Sequence, residues 1–488
     1  MHLNRKPIVK ILFAVMALVG TSMLLPLAVS LIYGETKVAL CFAVVCVPMI
    51  VIGLLVIKIV PKGDNTTLRM RDGFFIVAMA WVIMSVLGGL PFMISGSIPN
   101  FFDAFFETAS GFTTTGSTIV ANIEILPKGI LFWRSFTHWL GGMGVLVLTI
   151  ALLPMLGIGG QKIMRAETTG PTMDKISVTV NDSARRLYTI YLGVTILEII
   201  FLMLGGVSLF DASTHTFGTV GTGGLSTYNA SVGAFHSVYV EMVITVFMLL
   251  AGINFNLYHF VLTGRPGQML RDTEFRTYIG IIFGSTAFVS VMLLIHNYYD
   301  TIGKALRYAV FQVVSIITTT GFGTDDFDTW PIPCRIVMFL LMVIGGCASS
   351  TGGGVKVIRL ILSLKIIRRA ADIKLRPNAV KPIKIGGKTI DENTLAAVKS
   401  FMILYALTIA LGTVVVALSG FDLTTSLGSV IACVSNIGPG FGLVGPSCNY
   451  ILFSGPIKFL LAMFMIAGRL ELYTIFIMFT RTFWNENR

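Results

Sequence analysis

Ten apolar runs, each about as long as a lipid bilayer is thick, constrain this chain more than any other feature. They fall near residues 8–33, 38–60, 73–95, 129–157, 187–209, 237–263, 277–296, 334–362, 395–419 and 456–480. A helix needs about 20 apolar residues to cross a hydrocarbon layer of roughly 30 Å. Composition agrees: 55% of the 488 residues are hydrophobic, 12% are charged, and the mean hydropathy is +0.83. A soluble domain carries about 25% charged residues, so disorder, a fibrous array and an ordinary cytosolic enzyme are excluded. The first run lacks a small-residue cleavage pattern and is too long for a signal-peptide core, so it is read as a retained helix. The expected fold class is an all-α polytopic membrane protein with ten transmembrane helices. The six cysteines (Cys41, Cys46, Cys334, Cys347, Cys433, Cys448) show no CxxC spacing and mostly lie in apolar runs. They are expected to be buried thiols.

The net charge of +12 would suggest a nucleic-acid partner in a soluble protein. Its placement says otherwise. With the N-terminus in the cytoplasm, 28 of the 36 Lys and Arg fall on inner segments, most densely over residues 356–388. Seven fall on outer segments: Lys37, Lys128, Arg134, Lys304, Arg307, Arg335 and Lys458. This bias places both termini inside, and no nucleic-acid partner is expected. The remaining cation, Arg469, lies within the last span.

After the first two helices, one pattern occurs four times: long helix, short half-apolar segment, Gly-rich stretch, long helix. The four Gly-rich stretches are Thr113-Thr114-Thr115-Gly116-Ser117-Thr118, Val220-Gly221-Thr222-Gly223-Gly224-Leu225, Thr318-Thr319-Thr320-Gly321-Phe322-Gly323 and Ser435-Asn436-Ile437-Gly438-Pro439-Gly440. Aligned on Gly116, Gly223, Gly321 and Gly438, they are spaced by 107, 98 and 117 residues. That period exceeds any solenoid repeat and suits duplication of a whole helix–loop–helix unit. Three of the short segments begin with Phe-Asp (Phe102-Asp103, Phe210-Asp211, Phe421-Asp422), and Asp is a good N-cap. The third is expected to start near Lys304 and to run through Phe311 to Ile317.

Four short helices aiming their C-terminal ends at one axis would favour a cation there. Non-helical backbone at membrane depth is tolerated only where protein covers it or where it lines a watery path. Gly lets successive carbonyls turn toward an axis, and a ring of carbonyls can replace the hydration shell of an alkali cation. Single stretches could be ordinary turns; four at matching positions point to a pore.

These motifs, and the chain over essentially its whole length, resemble the TrkH/TrkG-type uptake subunits of the Trk/Ktr/HKT superfamily of potassium transporters. The resemblance implies four pseudo-symmetric helix–pore-loop–helix units around one central pore, plus two extra N-terminal helices. The units would divide as 1–70 (extra helices), 71–165, 166–270, 271–390 with an intramembrane gating loop, and 391–488. It implies a K+ filter (K+, with Rb+) in which one glycine per unit matches the first glycine of the channel TVGYG loop, here Gly116, Gly223, Gly321 and Gly438. The filter residues would be Thr114, Thr115, Gly116 and Ser117; Gly221, Thr222, Gly223 and Gly224; Thr319, Thr320, Gly321 and Phe322; Asn436, Ile437, Gly438 and Pro439. A Ser at the first of these glycines accompanies sodium transport in plant relatives, so Gly116 favours potassium. The resemblance further implies a bacterial inner-membrane location, a homodimer, and a cytosolic nucleotide-binding regulator of the TrkA kind, with the potassium ion as the only cofactor.

Two features lie within the expected pore. Residues Gly345-Gly346-Cys347-Ala348-Ser349-Ser350-Thr351-Gly352-Gly353-Gly354 hold five glycines in ten positions, each costing a helix about 1 kcal/mol against alanine. The reading is an unwound loop under the filter that can obstruct ions, the gate in the resembled family; the other reading is a close-packed helix crossing. Arg469 in the last span costs at least about 2.5–3.5 kcal/mol to insert. It is either a pore-facing barrier to cations, as in the family, or a structural Arg bonded to carbonyls or to an acid on another helix.

Other motifs fail. Gly387-Lys388-Thr389 resembles a P-loop end, but Pro382 stands where the first glycine is needed. The six histidines contain no HExxH pair. The leading expectation is a gated pore for K+ uptake and not an enzyme. The alternative is an H+- or Na+-coupled symporter with broken helices and alternating access.

Overall fold

The computed structural model describes residues 4–60, 69–144, 180–378 and 381–484. Two N-terminal spans come first. Arg5–Ser22 continues into Leu24–Ile32, the chain turns at Gly34, and Thr36–Ile59 returns alongside. The pair packs through small residues. A Cβ added at Gly53 would stand 2.7 Å from the Ala17 Cβ, the close approach that drives helix association in lipid, where burial from water cannot.

The four expected units follow. Each has an outer helix, a pore helix and an inner helix. The outer helices are Met70–Ile94, Val180–Leu204, Thr273–Ile295 and Glu392–Ala417. The pore helices are Phe101–Phe112, Leu209–Val220, Ile302–Ile317 and Leu423–Val434. The inner helices are Lys128–Gly142, Val238–Ala251, Ile332–Ile344 and Gly455–Arg469. The cores of the first and fourth units merge with the N-terminal pair, and those of the second and third units merge with each other. Large apolar side chains such as Leu54, Phe283 and Leu411 face outward, as lipid requires.

Two expectations are corrected. The Phe-Asp pairs do not all start the pore helices. Side chains of Asn100, Ser208, Thr301 and Asp422 cap them, accepting backbone N–H bonds at 2.8–3.4 Å. Asp103 and Asp211 instead sit in the first turn, where the helix dipole still favours a carboxylate. The inner helices, moreover, are not continuous spans. The second bends by 98° into Phe255–Leu262, and the fourth bends by 112° into the segment from Tyr473 to Phe479. The third stops at Gly345 (φ 76°) and resumes as Val357–Leu375, an interruption expected from its five glycines. The first ends at Gly142, and residues 145–157 of its expected run lie outside the described residues, as do the expected inner cations Lys62, Lys162, Arg165, Lys175 and Arg488. Among the described residues, six helices are long and apolar enough to cross a bilayer, or eight if each bent pair counts as one span. The breaks shorten the inner helices below the span length that the sequence suggested.

Candidate ion pathway

Each pore helix ends in the same turn. The capping residues are Thr113, Gly221, Thr318 and Ser435. The next residues, Thr114, Thr222, Thr319 and Asn436, are left-handed at φ 53°, 55°, 59° and 55°. The residues after them donate N–H bonds back five positions: Thr115 to Ser110, Gly223 to Gly218, Thr320 to Ser315 and Ile437 to Ala432, at 2.7–3.0 Å. This is the Schellman ending, which satisfies orphan helix carbonyls. A β-branched residue at positive φ is unusual, and such strain costs about 1–3 kcal/mol per residue. Three threonines carry it here.

The next residue in each unit is a glycine of positive φ: Gly116 (83°), Gly224 (73°), Gly321 (80°) and Gly438 (96°). The second of these is Gly224, one residue later than the expected Gly223. Neighbour contacts give the same register. A Cβ on Gly116 would overlap the Gly223 carbonyl oxygen, one on Gly224 that of Thr320, and one on Gly321 that of Ile437; one on Gly438 would lie 2.7 Å from that of Thr115. The contacts run from unit 1 to 2, 2 to 3, 3 to 4 and 4 to 1. Four backbone carbonyls therefore close a ring, with a glycine wedged beside each because no side chain fits. A cavity of about 130 Å³ opens above the ring and touches all four positive-φ glycines.

The expected filter side chains differ in role. The Thr115 hydroxyl pairs with that of Thr113 (2.7 Å) and accepts from Asn436 Nδ2 (2.9 Å), which also donates to the Met465 carbonyl. The Thr319 hydroxyl accepts from the Gly353 N–H (2.7 Å). Ser117 donates to the Gly438 carbonyl (3.2 Å). The Phe322 ring stacks on His215 at 5.8 Å, away from the ring of carbonyls.

Groups that the sequence reading passed over hold the ring from behind. His138 wedges between the first two loops: its Nε2 accepts from the Leu225 N–H (3.2 Å), which leaves Nδ1 to donate to the Gly111 carbonyl (2.7 Å). Glu107 on the first pore helix pairs with Arg134 on the inner helix (2.8 Å), and the pair engages the Thr118 hydroxyl and the Ile119 N–H. Both side chains are fully buried. A carboxylate inside an otherwise apolar short segment was the available signal. Glu107→Gln would leave Arg134 buried and uncompensated. The expected loss is about 3–5 kcal/mol of stability, seen as a lowered unfolding temperature of the purified protein; an unchanged temperature would remove the pair from this role.

The outer cations are more than topology markers. Lys128 lies 4.6 Å over the Phe210 ring, Arg307 makes two 2.6 Å bonds to Glu241, Arg335 lies over Phe441 (5.9 Å), and Lys458 pairs with Asp103 (2.7 Å). These join units 1–2, 2–3, 3–4 and 4–1, closing the ring a second time.

The ten-residue glycine stretch is unwound and lies against the C-terminal ends of the third and fourth pore helices. The Cys347 N–H donates to the Gly252 carbonyl (2.9 Å), and the Ser349 carbonyl accepts from the Phe255 N–H (3.1 Å). Glu274 accepts from the Ala348 and Ile358 N–H groups (2.7 and 3.1 Å), bracketing the loop. Gly352 abuts the Thr318 carbonyl and Gly353 that of Ser435, the last carbonyls of the third and fourth pore helices. Gly345 and Gly354 take positive φ, as do Ser349 and Lys356. Ser350 bonds back to the Cys347 carbonyl, and Gly346 accepts from the Val357 N–H. Lys356, counted among the inner cations, is buried here and donates to the Gly352 carbonyl. Arg469 donates to the Thr351 carbonyl (2.6 Å) and to the Gly141 and Gly142 carbonyls (2.7 and 3.0 Å). It thus ties the loop to the end of the first inner helix. The acid beside it, Glu471, pairs with Arg359 (2.6 Å).

Residues 46–486 match the family model TrkH, described as "Cation transport protein". A curated relative, the Trk system potassium uptake protein TrkH of Salmonella typhimurium, is 40% identical over 87% of this chain and 88% of its own length. Trk system potassium uptake protein TrkG of Escherichia coli is 34% identical over 96% of each chain. The crystal structure of the potassium transporter TrkH from Vibrio parahaemolyticus superposes with a TM-score of 0.88 at 35% identity, over 99% of this chain and 100% of that one. On this evidence of sequence and fold together, the chain belongs to the TrkH family of cation transport proteins.

Proposed function

We propose that this protein takes up K+ across a bacterial inner membrane through a gated, channel-like pore, with both termini cytoplasmic. The observation that carries the reading is the closed ring of carbonyls from Thr115, Gly223, Thr320 and Ile437, each held by a neighbouring unit's glycine. Such a ring can replace the hydration shell of a dehydrated alkali cation. Four helix C-termini add partial negative charge at the same level. Inward flux down the membrane potential gains about 2.3 kcal/mol per charge per 100 mV, so no coupled ion is needed for accumulation. The loop from Gly345 to Gly354, held by Arg469, is the gate. A homodimer and a nucleotide-binding regulator on the basic inner face belong to the same proposal.

The broken inner helices also suit an alternating-access carrier, and one experiment separates the two. In a planar bilayer with K+ as the only permeant cation, the pore reading expects discrete single-channel steps without an H+ or Na+ gradient. Transport that requires either gradient favours the symporter. Gly116→Ser is expected to raise relative Na+ permeability about tenfold, since the number and field of the filter's carbonyls set selectivity. An unchanged permeability ratio would take Gly116 out of the filter.

A further inference from the structure

The ring is not equivalent at the level of the four glycines. The Gly438 carbonyl accepts two hydroxyl hydrogen bonds, from Tyr450 Oη (2.9 Å) and from Ser117 Oγ (3.2 Å). Among the described residues, the carbonyls of Gly116, Gly224 and Gly321 accept none. The difference originates in the sequence. The residue after the positive-φ glycine is Ser117 in the first unit but Leu225, Phe322 and Pro439 in the others, and only serine has a hydroxyl to offer a neighbouring carbonyl.

Tyr450 is placed to act from behind the filter. It is 2% exposed. Its ring lies 5.3 Å from Phe106 of the first pore helix and 5.8 Å from Phe453. Its N–H donates to the Thr118 carbonyl (2.8 Å). The hydroxyl therefore sits in the seam between the first and fourth units, and a carbonyl that accepts its proton is drawn toward that seam.

We propose that Tyr450 and Ser117 hold the Gly438 carbonyl in this seam, so that the glycine level of the filter offers an ion three free carbonyls, and that Tyr450 is a positioning residue for ion selectivity. This rests on the K+ filter reading. An ion at the glycine level keeps a water molecule where the fourth carbonyl would be. A site of three carbonyls and a water discriminates between alkali cations less than four carbonyls do, because the number of coordinating dipoles contributes to selectivity.

The test uses the full-length protein in planar bilayers and reads the Na+/K+ permeability ratio from reversal potentials. Tyr450→Phe keeps the ring packing and removes the hydroxyl. The freed carbonyl can rejoin the ring, and the ratio is expected to fall about two- to tenfold, the equilibrium equivalent of one neutral hydrogen bond. Ser117→Ala is expected to shift the ratio the same way, and the double variant by less than the product of the two, since both act on one carbonyl. A purely structural tyrosine would lower the amount of folded protein and leave the ratio alone. Should Tyr450→Phe fold poorly, Ser117→Ala decides alone. An unchanged or raised Na+/K+ ratio in the folded variants overturns the proposal. Gly116→Ser, run in parallel, keeps the two readings apart. If it shifts the ratio while Tyr450→Phe does not, this inference fails and the filter stands. If neither shifts it, the filter reading fails as well.

Discussion

Arg469→Ala is expected to raise K+ or Rb+ flux through reconstituted protein by about tenfold or more, a change that needs only ~1.4 kcal/mol off the barrier. Two effects add. On the pore reading proposed above, the guanidinium puts a full positive charge beneath the filter, in the way of a cation. It also fastens the loop, through the Thr351 carbonyl, to the Gly141 and Gly142 carbonyls of the first inner helix. Each such charge-assisted bond is worth about 1.5–3 kcal/mol, so losing all three frees the loop. Arg469→Lys separates the two effects. Lysine keeps the charge but lacks the planar fork that reaches carbonyls on two sides. Its flux should fall between those of the parent and the alanine variant. Tracer uptake into proteoliposomes is the measurement, and unchanged uptake by folded Arg469→Ala protein would sink the idea of a gate lock.

Gly224→Ala should nearly abolish transport, to below about one tenth of the parent rate. A left-handed alanine costs about 1–2 kcal/mol. The larger effect is displacement: the new methyl would overlap the Thr320 carbonyl oxygen, a member of the ring. Gly206→Ala is the control. Gly206 has a comparable φ of 82° with nothing within 4 Å of the added Cβ, so it carries the strain without the crowding and should transport normally. Full transport by folded Gly224→Ala protein would remove Gly224 from the ring.

The glycine assignment shows how far the sequence could be read. Four Gly-rich stretches between paired helices were legible because each is a local pattern. The second stretch holds Gly221, Gly223 and Gly224 within four residues, and composition cannot say which one takes positive φ. The pore-helix caps failed for a related reason. Asp103 and Asp211 looked like caps, but Asn100 and Ser208 hold that position, and Asp, Asn and Ser are all good caps. For Arg469, the partners are carbonyls, as in the structural one of the two sequence readings, and one of them belongs to the glycine-rich loop. The outer cations were legible as charge and illegible as staples. Lys458 and Asp103 are 355 positions apart, and nothing local marks them as partners.

The membrane environment and the fourfold repeat were legible in the sequence alone, and the charge bias supplies an expectation for the orientation. Run length and hydropathy are matched to bilayer thickness one segment at a time, and the positive-inside bias is a count over short loops. Only the folded molecule reveals what distant segments do together: the ring in which each glycine makes room for its neighbour's carbonyl, the bends of the second and fourth inner helices, the burial of Lys356 and Glu274 around the loop, and the binding of Arg469 to backbone 118 and 328 positions away. The physical reason is that backbone carbonyls carry no residue identity. Which of them an arginine or an ion meets depends on how four distant segments converge on one axis.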